Sequence, residues 1–207
     1  MNCVILGGGG HARVLIECLR LSDAATPVAI LDADERLWET FVDDVPVLGG
    51  DDHLAQLRAD DTWHFAVGLG TGPRARLFTL GCEQDWVPVG TVHPRAVVSP
   101  RANVGEGAQV FAMAVINPGA SLGKNVIVNT GAIVEHDCVI GSHVHVSIGA
   151  CLAGGVIVED GAFIGAGSTI RQGIRVGAGA VVGAGAVVVK DVEPGRVMVG
   201  VPARPLR

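Results

Sequence analysis

From Val98 to Val188 an aliphatic residue returns at every sixth position without a slip, through Val104, Val110, Val134, Ile140 and Val146, sixteen times in all. Four residues after each comes a second small or aliphatic residue, from Ala102, Ala108 and Ala114 to Ala186 and Val192. A period of six matches neither an amphipathic helix nor a heptad. It suits short strands joined by tight corners, where Gly, Asn and Asp supply backbone angles that other residues avoid. One such unit cannot bury its apolar side chains alone, so the units must stack along an axis and make the core between them. The pattern predicts a β-solenoid.

The first ninety or so residues follow another pattern. Cys3-Val4-Ile5-Leu6 reads as a short buried strand and Gly7 to His11 as a glycine loop. Ala12 to Leu21 has apolar residues at helical spacing, and Val28 to Asp32 is a second strand, which completes a βαβ unit. Further on, the sequence predicts a helix around Asp52–Ala59, a strand at His64–Val67, a helix at Pro73–Leu80 and a strand at Val87–Val89. Proline closes this pattern at Thr91-Val92-His93-Pro94, dividing the chain into an α/β domain, 1–91, and the solenoid, 92–207.

The composition narrows the function. The 207 residues carry a net charge of −6 and no run of Lys or Arg that could neutralise a row of phosphates, which argues against nucleic acid as a partner. No apolar run is long enough to span a membrane. The start, Met1 to Leu6, lacks the basic region and cleavage site of a signal peptide, so a cytoplasmic protein is expected. Five cysteines at scattered spacings, with no C-x-x-C, suggest buried thiols rather than a disulfide framework or a zinc site. The core is built of small residues: there are 30 Gly but only 5 Phe, 3 Trp and no Tyr.

Two stretches carry candidate chemistry. Gly7-x-Gly9-x-x-Ala12 after a strand, with Asp32 closing the next, matches the dinucleotide fingerprint, in which glycines let backbone N–H groups and a helix N-terminus approach a pyrophosphate. A domain of about ninety residues leaves little room for a second mononucleotide half, so a nucleotide sugar fits better than a nicotinamide cofactor. Within the solenoid, Asn129 to His145 breaks the small-residue texture with Glu135-His136-Asp137, Cys138, His143 and His145. His136 lies two positions after an inward aliphatic residue, at an outward corner, whereas Cys138 takes an inward position unsuited to a nucleophile.

The hexads resemble those of left-handed parallel β-helix acyltransferases, whose triangular coils take three hexads each, so that sixteen hexads make between five and six coils. Left-handedness is implied by the resemblance alone, because parallel crossovers are ordinarily right-handed. On such coils Gly154 stacks on His136, about 4.8 Å along the axis, leaving room for a substrate group and an accessible N–H beside the imidazole. Asn129-Thr130, Glu135-His136-Asp137, Cys138, Ile140-Gly141 and His145, together with the α/β domain, resemble the NeuD/PglD-type sugar acyltransferases. The resemblance implies His136 as general base, Asp137 as the carboxylate that raises its basicity, and Asn129 and Glu135 as groups shaping the site. It implies acetyl-CoA contacts at His145, Gly154, Ala166 and Ala184, and a nucleotide-sugar site at Gly9, Gly10, His11, Asp32 and Gly68. A homotrimer with the coenzyme in the cleft between neighbouring β-helices is implied as well. The chain departs from the family at Ala33, where a second acidic residue is frequent, and at Leu69 to Pro73, which replaces the usual turn. Gly200-Val201-Pro202-Ala203-Arg204 looks like the closing motif of hexapeptide acyltransferases, with Arg204 either near coenzyme phosphates or simply solvated.

The leading expectation is acetyl-CoA-dependent N-acetylation of a nucleotide-linked amino sugar of the 4-amino-4,6-dideoxy type, in a pathway of cell-surface polysaccharide or glycan biosynthesis. Transfer is direct, with no metal and no acyl-enzyme. Sugar O-acetylation, as on sialic acid, would use the same base. A zinc hydratase built on His136, His143 and His145, and a non-catalytic trimeric assembly module, are the readings from other classes.

Overall fold

The computed structural model describes residues 1–56 and 63–206, which divide into two compact units, Met1–His93 and Pro94–Arg207. The first unit runs β1 (Asn2–Leu6), α1 (Gly10–Leu21), β2 (Thr26–Leu31), β3 (Phe41–Val42), β4 (Val45–Gly49), α2 (His53–Gln56), β5 (His64–Val67), α3 (Arg74–Glu83) and β6 (Val87–Pro88). Its sheet has the order β3-β4-β2-β1-β5-β6, parallel except for the β3–β4 pair. The continuous apolar run of β1 follows from its central place, because both faces of a parallel sheet are covered. Cys3 and Ile5 face Leu15, Ile16 and Leu19 of α1, whereas Val4 and Leu6 face the cluster holding Leu77 and Phe78 of α3.

Several details of this unit differ from expectation. Helix α1 begins at Gly10, because the extended backbone of Gly9 caps it two residues before the apolar periodicity starts. β2 stops at Leu31, so Asp32 lies just past the strand. The β3–β4 hairpin turns on Asp43 and Asp44, both left-handed at φ 46° and 68°, which is primed-turn geometry without the Asn-Gly signal that advertises it. The helix expected over Asp52–Ala59 is seen from His53 to Gln56, and the rest lies outside the described residues.

In the second unit every hexad forms a two-residue strand and a corner, and parallel partners stand 18 positions apart. The described residues make three stacked walls. One runs through Ile127, His145 and Phe163, a second through Ile133, Cys151 and Thr169, and a third through Val139, Ile157 and Arg175. The second residue of each strand points inward, so Val134, Leu152, Ile170 and Val188 form one buried column, with Ala132, Ala150 and Ala186 packed among such columns. Truncating one rung of this column, as in Leu152→Ala, removes a side chain with no exposed surface and costs about 2–5 kcal/mol. The corners carry left-handed residues, mostly glycine, with Met113, Asn125, Asp137 and His143 among those that are not. Polar chemistry is thereby confined to corners and outward strand positions.

Candidate active site

His136 and Asp137 occupy the corner between strands Ile133–Val134 and Val139–Ile140, joining the second wall to the third. Asp137 has φ 60°, a region that Asp visits more readily than most residues, and its N–H is held by Pro118 O from the coil below at 3.2 Å. His136 Nδ1 lies 2.9 Å from Asp137 Oδ2. An ionised carboxylate only accepts, so Nδ1 carries the proton and Nε2 presents a lone pair. The His136 N–H donates to Glu135 Oε2 at 3.1 Å, which folds Glu135 back on the backbone. The hydrogen bond to Asp137, followed by the negative charges of Asp137 and Glu135, raises the His136 pKa above the ordinary histidine value. With its side chain 57% exposed, the imidazole is open to a substrate.

Gly154 does stack on His136, but with a different consequence from the open space expected. A Cβ at position 154 would stand 2.5 Å from His136 Nε2, so the imidazole itself fills the room, and Gly154 is buried under the ring. A side chain at position 154 would therefore displace the base, and the glycine leaves the ring its place. Cys138 is fully buried, donates to Ala153 O at 3.3 Å, and has its pKa pushed up chiefly by burial.

Asn129, Ala166 and Ala184 stand at another corner, between the first and second walls, across strand Ile133–Val134 from His136. Asn129 Nδ2 lies 3.1 Å from His145 Nε2, and the His145 ring meets Phe163 edge-on at 5.2 Å. His145 is buried, and Phe163 is the neighbour that sequence reading passed over, although 18-residue spacing predicts the contact. His143 is paired with Asn125 at 3.0 Å on the remaining corner, so the histidines are distributed over different edges of the coil. Arg204, exposed, donates to Ala203 O at 2.8 Å.

In the first unit Gly9 and Gly10 are exposed, and a Cβ at either would meet nothing within 4 Å. Helix α1 starts there with no side-chain cap and no acidic residue in its first turn, an arrangement that suits an anion, and half-buried His11 stands in that same turn. Asp32 behaves differently from a free acceptor. Its Oδ2 takes the Gly8 N–H at 2.6 Å and its Oδ1 the Asp34 N–H at 2.8 Å, so the carboxylate clamps the glycine loop to the end of β2. Trp38 Nε1 adds a donor to Asp32 O at 2.8 Å. Gly68 is buried where β5 crosses the glycine loop, and a side chain there would strike Gly7 O and Ile5. Its place is set by close packing.

Residues 2–77 match the family model of the PglD N-terminal domain. Residues 137–172 match that of the bacterial transferase hexapeptide, and residues 155–190 that of the hexapeptide repeat of succinyl-transferase. No curated protein sequence matches the chain. Among solved structures, the acetyltransferase domain of PglB from Neisseria gonorrhoeae is 34% identical, with a TM-score of 0.91 and 99% of each chain covered. A structure of that domain in complex with acetyl coenzyme A is also similar. A histidine-to-alanine mutant of GDP-perosamine N-acetyl transferase from Caulobacter crescentus, in complex with CoA and GDP-perosamine, is 38% identical with a TM-score of 0.90, covering 100% of this chain and 97% of that one. WeeI from Acinetobacter baumannii is 27% identical with a TM-score of 0.85 and full coverage of both chains.

Proposed function

The chain belongs to the NeuD/PglD-type sugar acyltransferases, and from that premise we propose that it transfers the acetyl group of acetyl-CoA to the amino nitrogen of a nucleotide-linked 4-amino-4,6-dideoxy sugar. The observation that carries the proposal is the exposed imidazole of His136, with Nδ1 engaged by Asp137 and Nε2 left as the basic atom. Similarity over the whole chain to a GDP-perosamine N-acetyl transferase supports an amine as the acceptor.

The chemistry needs one positioned base. As the neutral amine attacks the thioester carbonyl, a C–N bond forms and the amine proton passes to His136 Nε2. The tetrahedral adduct then collapses with cleavage of the C–S bond, and the imidazolium returns the proton to the departing CoA thiolate. The negative charge of Asp137 stabilises the imidazolium formed between the two steps. No acyl-enzyme is involved, in keeping with the buried, high-pKa Cys138. In the N-terminal unit the open helix start at Gly9 and Gly10, flanked by His11, takes the nucleotide phosphates, with Asp32 and Gly68 fixing the loop that presents them.

The active form is a homotrimer with acetyl-CoA between neighbouring β-helices, working in the cytoplasm in glycan biosynthesis. Two observations support the trimer. Asn129, Ala166 and Ala184 are on one corner and His136 on another, an arrangement that fits a ligand held in a cleft between neighbouring chains. In addition Val97, Met113, Val139 and Ile148 are exposed apolar side chains on the outer walls and corners of the coil. Sedimentation of an active monomer would overturn the trimer.

The activity is tested by release of CoA thiol from acetyl-CoA on addition of GDP-perosamine and of UDP- and dTDP-linked 4-amino sugars. Release with at least one of these, and none with the corresponding 4-hydroxy sugars, is the expected result. Release with hydroxyl acceptors alone would instead establish an O-acetyltransferase.

A further inference from the structure

We propose that Gly119 is a positioning residue for the base: its missing side chain is the space in which the Asp137 carboxylate lies while it holds His136 Nδ1. The kinetic part of this inference rests on the function proposed above; the geometric part does not. Positions 18 apart along this corner are Gly119, Asp137, Gly155 and Gly173, with φ of 78°, 60°, 66° and 68°. Four successive coils take a left-handed backbone at this position, and at Asp137 a side chain is carried in spite of it. In that conformation the side chain turns along the axis. A Cβ built on Gly119 would strike Asp137 Oδ1, with Asp137 Cγ at 3.5 Å. The other carboxylate oxygen, Oδ2, is the one 2.9 Å from His136 Nδ1. On the opposite side the corresponding space at Gly155 is open, with nothing within 4 Å, so it is Gly119 alone of the two flanking glycines that limits the carboxylate.

The electrostatic surroundings of His136 are simple. The adjacent coils contribute Asn117, Pro118 and Gly119 on one side and Ala153, Gly154 and Gly155 on the other, none of which titrates. The charged groups on its own corner are Glu135 and Asp137, and Arg101 and Arg171 stand at the aligned corner one coil further out on either side. Displacing the carboxylate therefore changes the dominant partner of the imidazole and leaves the other charges in place.

The test is an NMR titration of the His136 ring in the full-length protein, which needs no substrate. Gly119→Ala should lower the His136 midpoint toward the ordinary histidine value, because a partner that favours the charged form has been pushed away. Turnover should fall by about ten- to a hundredfold. Gly161→Ala is the control: it has φ 68°, the same backbone strain, with nothing within 4 Å of the new carbon, and should leave the midpoint unchanged. In an Asp137→Gly background, Gly119→Ala should shift the midpoint no further. An unshifted midpoint in Gly119→Ala, or an equal shift in Gly161→Ala, overturns the proposal. Should Gly119→Ala fail to fold, adding Asp137→Gly must restore folding; a double variant that still fails would assign the cost to backbone strain and overturn the proposal equally. A shifted midpoint in a protein that acetylates no amino sugar would refute the proposed function and leave this inference standing.

Discussion

Replacing Gly154 by alanine puts a single carbon against the base. That carbon would stand 2.5 Å from His136 Nε2 and 2.6 Å from Cε1, where ordinary contact begins near 3.4 Å, so the ring must retreat. The displacement is about 1 Å. Position 154 is outside the left-handed region, so alanine adds no backbone strain, and the exposed imidazole can swing into solvent. The fold should therefore survive, with Tm within about 4 °C of the parent. The retreat breaks the 2.9 Å bond from His136 Nδ1 to Asp137 and withdraws Nε2 from the place where it meets the attacking amine. A misplacement of about 1 Å costs on the order of a hundredfold in rate. The assay is steady-state CoA release with both substrates varied. We expect kcat for Gly154→Ala to fall about a hundredfold, with the KM for the nucleotide sugar unchanged. A folded Gly154→Ala variant with parental kcat would refute the seating of the ring on Gly154.

Asp137→Asn should move the acid limb of the kcat/KM profile to lower pH and reduce its plateau. The base works when neutral, and Asp137 raises its pKa, so losing the carboxylate extends the neutral form downward while weakening the base; a limb that stays in place would contradict this. Asp32→Asn keeps one acceptor and loses the other, so the Gly8 or Asp34 end of the clamp is released. The KM for the nucleotide sugar should rise about tenfold, the equivalent of one lost charge-assisted bond, with that for acetyl-CoA unmoved; an equal rise in both would remove the division of labour between the two units. Cys138→Ala should retain most of the parental kcat at some cost in thermal stability, and loss of turnover in a folded variant would reopen the case for an acyl-enzyme.

The solenoid was legible because its information is periodic: Val134 and Leu152 are inward on the same count of six that puts His136 at a corner and Gly154 above it. Spacing says which residues stack, and it says nothing of which way a side chain leans along the axis. That is why the Gly154 space appeared free for substrate when the imidazole fills it, and why Gly119, one coil from Asp137, went unnoticed. Asp32 shows the same limit in the α/β unit. Its place after β2 follows from the apolar run, but the two backbone donors on its carboxylate depend on the path of the loop from Gly7 to Gly9 and of the turn to Asp34. The β3–β4 hairpin escaped because Asp43-Asp44 carries a primed turn on two residues that more often mark ordinary loops.

The central claim is that His136 takes a proton from a sugar amine that becomes acetylated. Its most direct test is the product formed from acetyl-CoA and a nucleotide-linked amino sugar, identified by mass spectrometry and NMR, for the parent and for His136→Ala at equal concentration. The parent should give one acetyl group on the amino nitrogen for each CoA thiol released, and His136→Ala, folded and in the same oligomeric state, should form it about 10²- to 10⁴-fold more slowly. An unmodified amino sugar with the parent, or an undiminished rate with the variant, would contradict the account.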